Sequence, residues 1–346
     1  LAAALASLCS KPLVPKSVQD LASLTLTRWL DSEDTELLGE LCRGLSHFSN
    51  GPNEYIQKVL DQNAEHRLGQ LLQHPAPMVQ RYALATVGNL ATGDDLQTQR
   101  VVDAGCLRGL RALLAARQFR KSVVWTVSNI TAGNLQQVQA VLDEGFVMPL
   151  LELFESSDTK VQKEVAWAFS NATSGGSNEM VAELVKCGVV RSMVELLASA
   201  ERPTQHMSLE FLLTLSKRDI DFKGEMHKSG GPDRLHAIAQ DEEQGDCSEM
   251  AARLLEEHFP DWEPTSLVVT VNIEGTVAVC SRMSGEEVAR VRLDEEPTVS
   301  AVRKAVAGAC NCPAVSVKLV TPTAQVLGPP EQRPLVTALE EVAAEK

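Results

Sequence analysis

The stretch VVWTVSNITAGN, Val123 to Asn134, returns about forty residues later as VAWAFSNATSGGSN, Val165 to Asn178. In each copy a Trp precedes an Asn by four residues, Trp125 with Asn129 and Trp167 with Asn171. Four residues make about one helical turn, so each pair projects from a single helix face. Upstream, ALATVGNLATGDD (Ala83 to Asp95) and CRGLSHFSNGPN (Cys42 to Asn53) carry weaker versions of the same phrase.

Following the Asn column gives His47, Asn89, Asn129 and Asn171, spaced by 42, 40 and 42 residues. A second column, Gly105, Gly145, Gly188 and Gly230, repeats at 40, 43 and 42. A helical pattern with a period in the low forties marks a HEAT or armadillo array, in which each unit buries its apolar face on its neighbours. We expect an all-α, right-handed armadillo superhelix instead of one globular core.

Each unit reads as a short helix, a second helix and a longer third. In the unit after Gly133 these are LQQVQAVLDEG, FVMPLLELF and DTKVQKEVAWAFSNAT, with Gly145 closing the first helix and Asp158 capping the third. Val161, Val165, Ala168, Phe169 and Ala172 recur at 3.6-residue spacing as a buried stripe. Trp167 and Asn171 fall outside it.

Side chains repeated on the face that the core does not use form ladders along a solenoid. Packed helices lie roughly 8 to 10 Å apart and an extended peptide advances roughly 3.3 Å per residue. Adjacent Asn rungs then hold backbone groups about three residues apart. A carboxamide can grip a peptide N–H and C=O without reading sequence. Trp faces would take the stems of Lys or Arg, and Glu164, Asp94 and Asp95 would receive the charged heads.

Composition agrees with such a ligand. A formal net charge of −14 and a pI near 5.0 argue against nucleic acid or an anionic membrane and favour basic partners. Hydrophobic residues make up 44% but aromatics only 4%, so Leu, Val and Ala must build most of the core. The eight Cys are scattered and read as reduced thiols. LAAALASLC at the start has no preceding Met or basic segment, and we expect the chain to open inside a helix of an earlier repeat. No apolar run approaches the roughly 18 residues needed for a membrane span.

The phrases SNGPNEYIQ, TVGNLATGDDLQTQRVVDAG, WTVSNITAGNLQQVQAVLDEG and AWAFSNATSGGSNEMVAELVKCG resemble the importin-alpha (karyopherin-alpha) family. The likeness runs from about Leu1 to Phe259, and its order corresponds to the family's fourth to tenth repeats. It implies an adaptor for Lys/Arg-rich nuclear localisation signals that works in cytoplasm and nucleus. Of the family's two signal sites, the minor one would remain, and Asn89, Thr92, Asp94, Asp95, Trp125, Asn129, Glu164, Trp167 and Asn171 fall on it. The last repeat would meet the family's recycling exportin. Importin-beta is not expected to bind, because the basic segment that recruits it is not in this sequence.

This chain departs from the family pattern at Ala3 and Ser7, at Arg43 and His47, at Ala85 and at Ser122. Arg43 would repel a basic ligand at that end. The losses at Ala3 and Arg43 favour an alternative, an interaction scaffold that holds a different extended partner.

Beyond Pro260 the pattern changes. SLVVTVNIEG, TVAVCSRMS and EEVARVRLD alternate as strands around turns at Glu274-Gly275 and Ser284-Gly285, and a helix follows over Thr298 to Cys310. Hairpin, helix and further strands over 265–340, after a linker at 260–264, resemble a ubiquitin-like β-grasp domain. That would link the scaffold alternative to the ubiquitin pathway.

No phosphate loop, nucleophile elbow or paired catalytic carboxylates stand out, and an enzyme is not expected. The seven His have no ligand spacing, and Cys310-x-Cys312 alone is a weak metal signal, so no metal or cofactor is expected. Arg111, Arg117, Arg120 and Lys121 read as a solvated loop and helix start, and DSEDTE (Asp31 to Glu36) and DEEQGD (Asp241 to Asp246) as loops and caps.

Overall fold

A computed structural model describes residues 4, 6–7, 16–241, 245–262, 267–274, 277–282, 286–292, 297–310, 317–320, 327 and 334–338. Ala3, Cys9, Cys312, residues 263 and 264 of the expected linker, and Gly275, Ser284 and Gly285 of the expected turns lie outside them. The chain divides into two compact units, 1–196 with 206–225 and 197–205 with 226–346.

The first unit is built from three-helix repeats. After α1 (Lys16–Arg28) and α2 (Thr35–Ser49) come α3 (Asn53–Leu60), α4 (Ala64–Leu71) and α5 (Pro77–Leu90). The next repeat is α6 (Asp95–Asp103), α7 (Cys106–Leu113) and α8 (Arg120–Thr131), and then α9 (Leu135–Asp143), α10 (Val147–Ser156) and α11 (Thr159–Gly175). It ends in α12 (Asn178–Lys186), α13 (Val189–Leu196) and most of α14 (Arg202–Ser216).

Local chemistry sets these boundaries. The four glycines of the repeating column all take left-handed backbone, with φ of 74°, 77°, 99° and 69°. That conformation turns the chain between the first and second helices, and glycine has no Cβ to oppose it. One period earlier Asn63 takes the same place at φ 53°, as Asn tolerates it better than most residues. Asp158 caps α11, accepting from the amides of Lys160 and Val161.

First helices open with capping boxes, Asp94 with Gln97 in α6 and Asn134 with Gln137 in α9. The same Gln side chains reach across repeats. Gln97 Nε2 donates to Gln57 Oε1 at 2.9 Å and Gln137 Nε2 to the Asp95 carbonyl at 2.7 Å. One side chain thus caps the start of its own helix and fixes its register on the preceding repeat.

The core is aliphatic, as the composition requires. Val161, Val165, Ala168, Phe169 and Ala172 are all buried, and the long helices α2, α5, α8 and α11 pack in succession. Cys42 and Cys106 are free and buried, and burial pushes each thiol up to about 12. A carboxylate is also buried between repeats, paired with a half-buried guanidinium. Glu65, fully buried at the start of α4, accepts from Arg100 of α6, whose Nη2 also donates to the Leu60 carbonyl (3.1 Å) and Asn63 Oδ1 (2.9 Å).

In the second unit, α15 (Lys223–Lys228), which straddles the unit boundary, leads to α16 (Gly231–Ala239) and α17 (Asp246–His258). His227 meets Phe259 edge-on at 5.2 Å, and His236 lies 5.4 Å from Trp262, ring centre to ring centre. A four-stranded sheet follows in the order β3-β2-β1-β4, from β1 (Leu267–Glu274), β2 (Val277–Arg282), β3 (Glu287–Arg292) and β4 (Val317–Val320).

Neighbours pair antiparallel except β1 with β4, which are parallel. A helix, α18 (Val299–Cys310), supplies Val299, Val302 and Val306 to the core under the sheet, against Val269, Val271 and Leu319. The strands ahead of the helix form a three-stranded meander instead of a single hairpin, because β3 pairs back on β2. The described residues are thus mostly helical repeats, with one small mixed sheet near the C-terminal end.

Candidate functional site

Third helices present the repeated Trp and Asn. On α8, Lys121, Trp125 and Asn129 follow at four-residue intervals; on α11, Lys160, Glu164, Trp167 and Asn171 share one face at intervals of four, three and four. Between the two helices lies a cleft of about 550 Å³ lined by Trp125, Asn129, Glu164, Trp167 and Asn171, with Lys121, Ser128, Lys160 and Lys163. Five of the nine residues expected from sequence therefore meet in one place.

The two indoles differ. Trp167 is 47% exposed, a free aromatic face. Trp125 is half-buried, its ring laid over Gly88 of α5 so closely that a Cβ there would stand 2.7 Å from Trp125 Cζ3. Gly88 is what lets that ring lie down on the preceding helix.

The Asn ladder is less free than its spacing implies. Asn89 Nδ2 donates to the Ser46 carbonyl at 2.9 Å and to Ser49 Oγ at 3.0 Å, and Asn171 Nδ2 donates to the Ser128 carbonyl at 2.9 Å. These amides tie each long helix to its predecessor. Asn129 is the exception, with a buried Nδ2 that has no partner. A buried donor left unmade costs about 1–3 kcal/mol.

Asn89, Thr92, Asp94 and Asp95 do not line the cleft. Thr92 Oγ1 donates to the Asn89 carbonyl at 2.7 Å, where α5 ends. Asp94 spends its carboxylate on capping α6, accepting from Gln97 N at 2.9 Å. Asp95 is exposed, and its carbonyl takes the Gln137 side chain. The Asp94 carboxylate thus serves as a helix cap, and neither it nor Asp95 is brought to the cleft.

Glu164 is the one carboxylate in the cleft, beside three lysines that were not assigned to the site from sequence. Burial pushes its carboxyl above the usual glutamate range, and Lys121 opposes that in part. The lysines were legible as continuations of the Trp/Asn face one and two turns towards each helix start. Toward the other end of the array, Arg43 pairs with Glu40 on α2, which offsets the repulsion expected of it, and His47 is exposed.

Comparison with known proteins places this architecture. The model of the armadillo/beta-catenin-like repeat matches residues 52–92 and 134–174, the repeats α3–α5 and α9–α11. Importin subunit alpha-1b of Oryza sativa subsp. japonica is 39% identical over 218 residues, 62% of this chain and 40% of that protein. Importin subunit alpha-3 of Arabidopsis thaliana is 38% identical over 226 residues, 64% of this chain and 42% of that one. The chain spans about two fifths of the length of these curated relatives.

Among solved structures, a designed armadillo-repeat protein in complex with the peptide (KR)4 superposes with a TM-score of 0.62 at 28% identity, covering 66% of this chain and 97% of its own. The chain therefore carries armadillo repeats and has importin-alpha homologues over part of its length.

Proposed function

We propose that this chain is an importin-alpha-like adaptor that holds an extended, Lys/Arg-rich localisation peptide along the face formed by α8 and α11. The observation that carries the reading is the cleft itself: two Trp faces flank an unpartnered buried amide, Asn129 Nδ2, with one carboxylate, Glu164, in reach of the same space. Asn129 would donate to a ligand carbonyl while Trp125 and Trp167 stack on aliphatic stems. Each slot would contribute about 0.5–2 kcal/mol. A designed relative bound to (KR)4 supports the ligand class. The role is binding, with no catalysis.

The same resemblance extends the proposal to movement between cytoplasm and nucleus, and to contact of the last repeat, around α16 and α17, with a recycling exportin. The small sheet would be a β-grasp-type interaction module.

Anisotropy of a labelled Lys/Arg-rich peptide tests the reading. Saturable binding that weakens with salt supports it; no binding at any ionic strength removes it. Charge offers a finer test. Three ammonium groups against one carboxylate make the cleft a poor match for a cationic ligand. Lys160→Glu should therefore tighten the basic peptide roughly threefold to tenfold. A weakened complex would mean that the ligand does not pass Lys160.

Acidity offers another. Only ionised Glu164 attracts a cationic head, and its carboxyl titrates above the ordinary glutamate range. Peptide affinity should fall as pH drops through that raised value, sooner than an exposed glutamate would allow, and Glu164→Gln should flatten the profile. For the free protein the sign reverses: burying the charged form is unfavourable, so this group's contribution to stability improves as pH falls through the folded value. A profile unaltered by Glu164→Gln would take this carboxylate out of the site.

A further inference from the structure

From Ala104 to Leu142 the chain has no Asp or Glu, yet it carries Arg108, Arg111, Arg117, Arg120 and Lys121, inside a protein of net charge −14. Part of this basic island borders a second recess of about 790 Å³, larger than the Trp cleft and sharing no lining residue with it. It lies between the second helices α7 and α10. Met148 gives it an exposed apolar face above the nearly buried Leu114 and Leu153, with Arg111, Arg120 and a single carboxylate, Glu152, around them.

The guanidinium groups are held in place. Arg111 Nε donates to the Gly145 carbonyl of the next repeat at 3.1 Å, and Arg120 Nε donates to the Leu114 carbonyl at 3.1 Å. These bonds use one donor of five on each group and leave the terminal nitrogens for a ligand. Fixed guanidinium forks suit carboxylates, which they bind in bidentate fashion. Met148, 55% exposed, offers an adaptable apolar contact between them.

We propose that this recess is a second docking surface, for an acidic partner segment that carries a bulky apolar residue flanked by carboxylates. Charge complementarity selects that occupant: the chain as a whole, at net charge −14, repels acidic peptides, and this island attracts them. The apolar residue fills the space over Leu114, Met148 and Leu153, and the carboxylates meet Arg111 and Arg120. The surface is independent of the Trp cleft, so the adaptor would hold two ligands of opposite charge on different helices.

The test is anisotropy with the full chain and a labelled peptide of sequence Glu-Asp-Glu-Phe-Leu-Asp-Glu-Asp. Saturable binding is expected, weakened about tenfold by Met148→Glu and about tenfold when Phe-Leu is replaced by Gly-Gly. The Trp125→Ala, Trp167→Ala double variant should bind it unchanged. Arg111→Glu with Arg120→Glu should abolish it; if that variant fails to fold by circular dichroism, Met148→Glu decides. The proposal is overturned by absence of saturable binding, by indifference to Met148→Glu or to loss of Phe-Leu, or by loss in the double Trp variant. Displacement by inorganic phosphate at matching concentration would show a simple anion site and overturn it too.

Discussion

Replacing Arg100 by Ala is expected to destabilise the first unit by about 3–5 kcal/mol, the cost of leaving a buried charge without its partner. Glu65 is fully buried, one of its oxygens already has no partner, and Arg100 satisfies the other. Arg100 also bonds the Leu60 carbonyl and Asn63 Oδ1 at the turn between α3 and α4. Its loss therefore strands an acid and loosens a left-handed turn together. In urea titration the midpoint should fall sharply with the slope preserved. Pairing Arg100→Met with Glu65→Leu should recover most of the loss, since an apolar pair of similar volume carries no stranded charge. Equal losses in single and double variants would show that packing, and not the ion pair, holds these repeats together.

The largest effect on binding is expected from Trp125→Ala with Trp167→Ala. Two stem-binding slots at about 0.5–2 kcal/mol each predict a drop of roughly 5-fold to 1,000-fold in affinity for a basic peptide. Stability should suffer from one site more than the other. Trp167 is exposed and its removal opens no core, whereas Trp125 covers Gly88 and its loss leaves a gap against α5. Trp167→Ala alone is thus the cleaner variant: affinity should fall at least several-fold with the thermal midpoint unchanged. Affinity unchanged in the double variant would place the peptide elsewhere or leave the array without this ligand.

Much of this was legible before any coordinates. The glycine column announced its left-handed turns because few residues other than Gly adopt them, and Asn63 could have been added as the next most tolerant type. The buried stripe of α11 followed from helical periodicity, and so did the outward face of Trp167. Hydrogen-bond commitments were not legible. Spacing says that Asn89, Asn129 and Asn171 share a column, but not that two of the three donate to the preceding helix and one does not. Asp94 read as a ligand carboxylate and serves as a cap, because both uses want an exposed acid at a helix start. Lys121 read as part of a solvated loop and helix start, since a linear reading does not bring it and Lys160 to one opening.

The sheet was the least legible part. Alternation identified β1, β2 and β3, but pairing depends on contacts distant in sequence, and β4 adds to β1 in parallel only after α18 has crossed. Nothing in the local pattern of VKLV states which edge it joins.

The central claim is that a basic peptide lies across Trp125 and Trp167. The chain has only four Trp, so indole N–H resonances of a ¹⁵N-labelled sample give four reporters: Trp29, Trp125, Trp167 and Trp262. Titration with a Lys/Arg-rich peptide should shift Trp125 and Trp167 together along one saturable curve while Trp29 and Trp262 stay fixed. Movement of Trp29 or Trp262 alone, or no movement of any indole at saturating peptide, would contradict it.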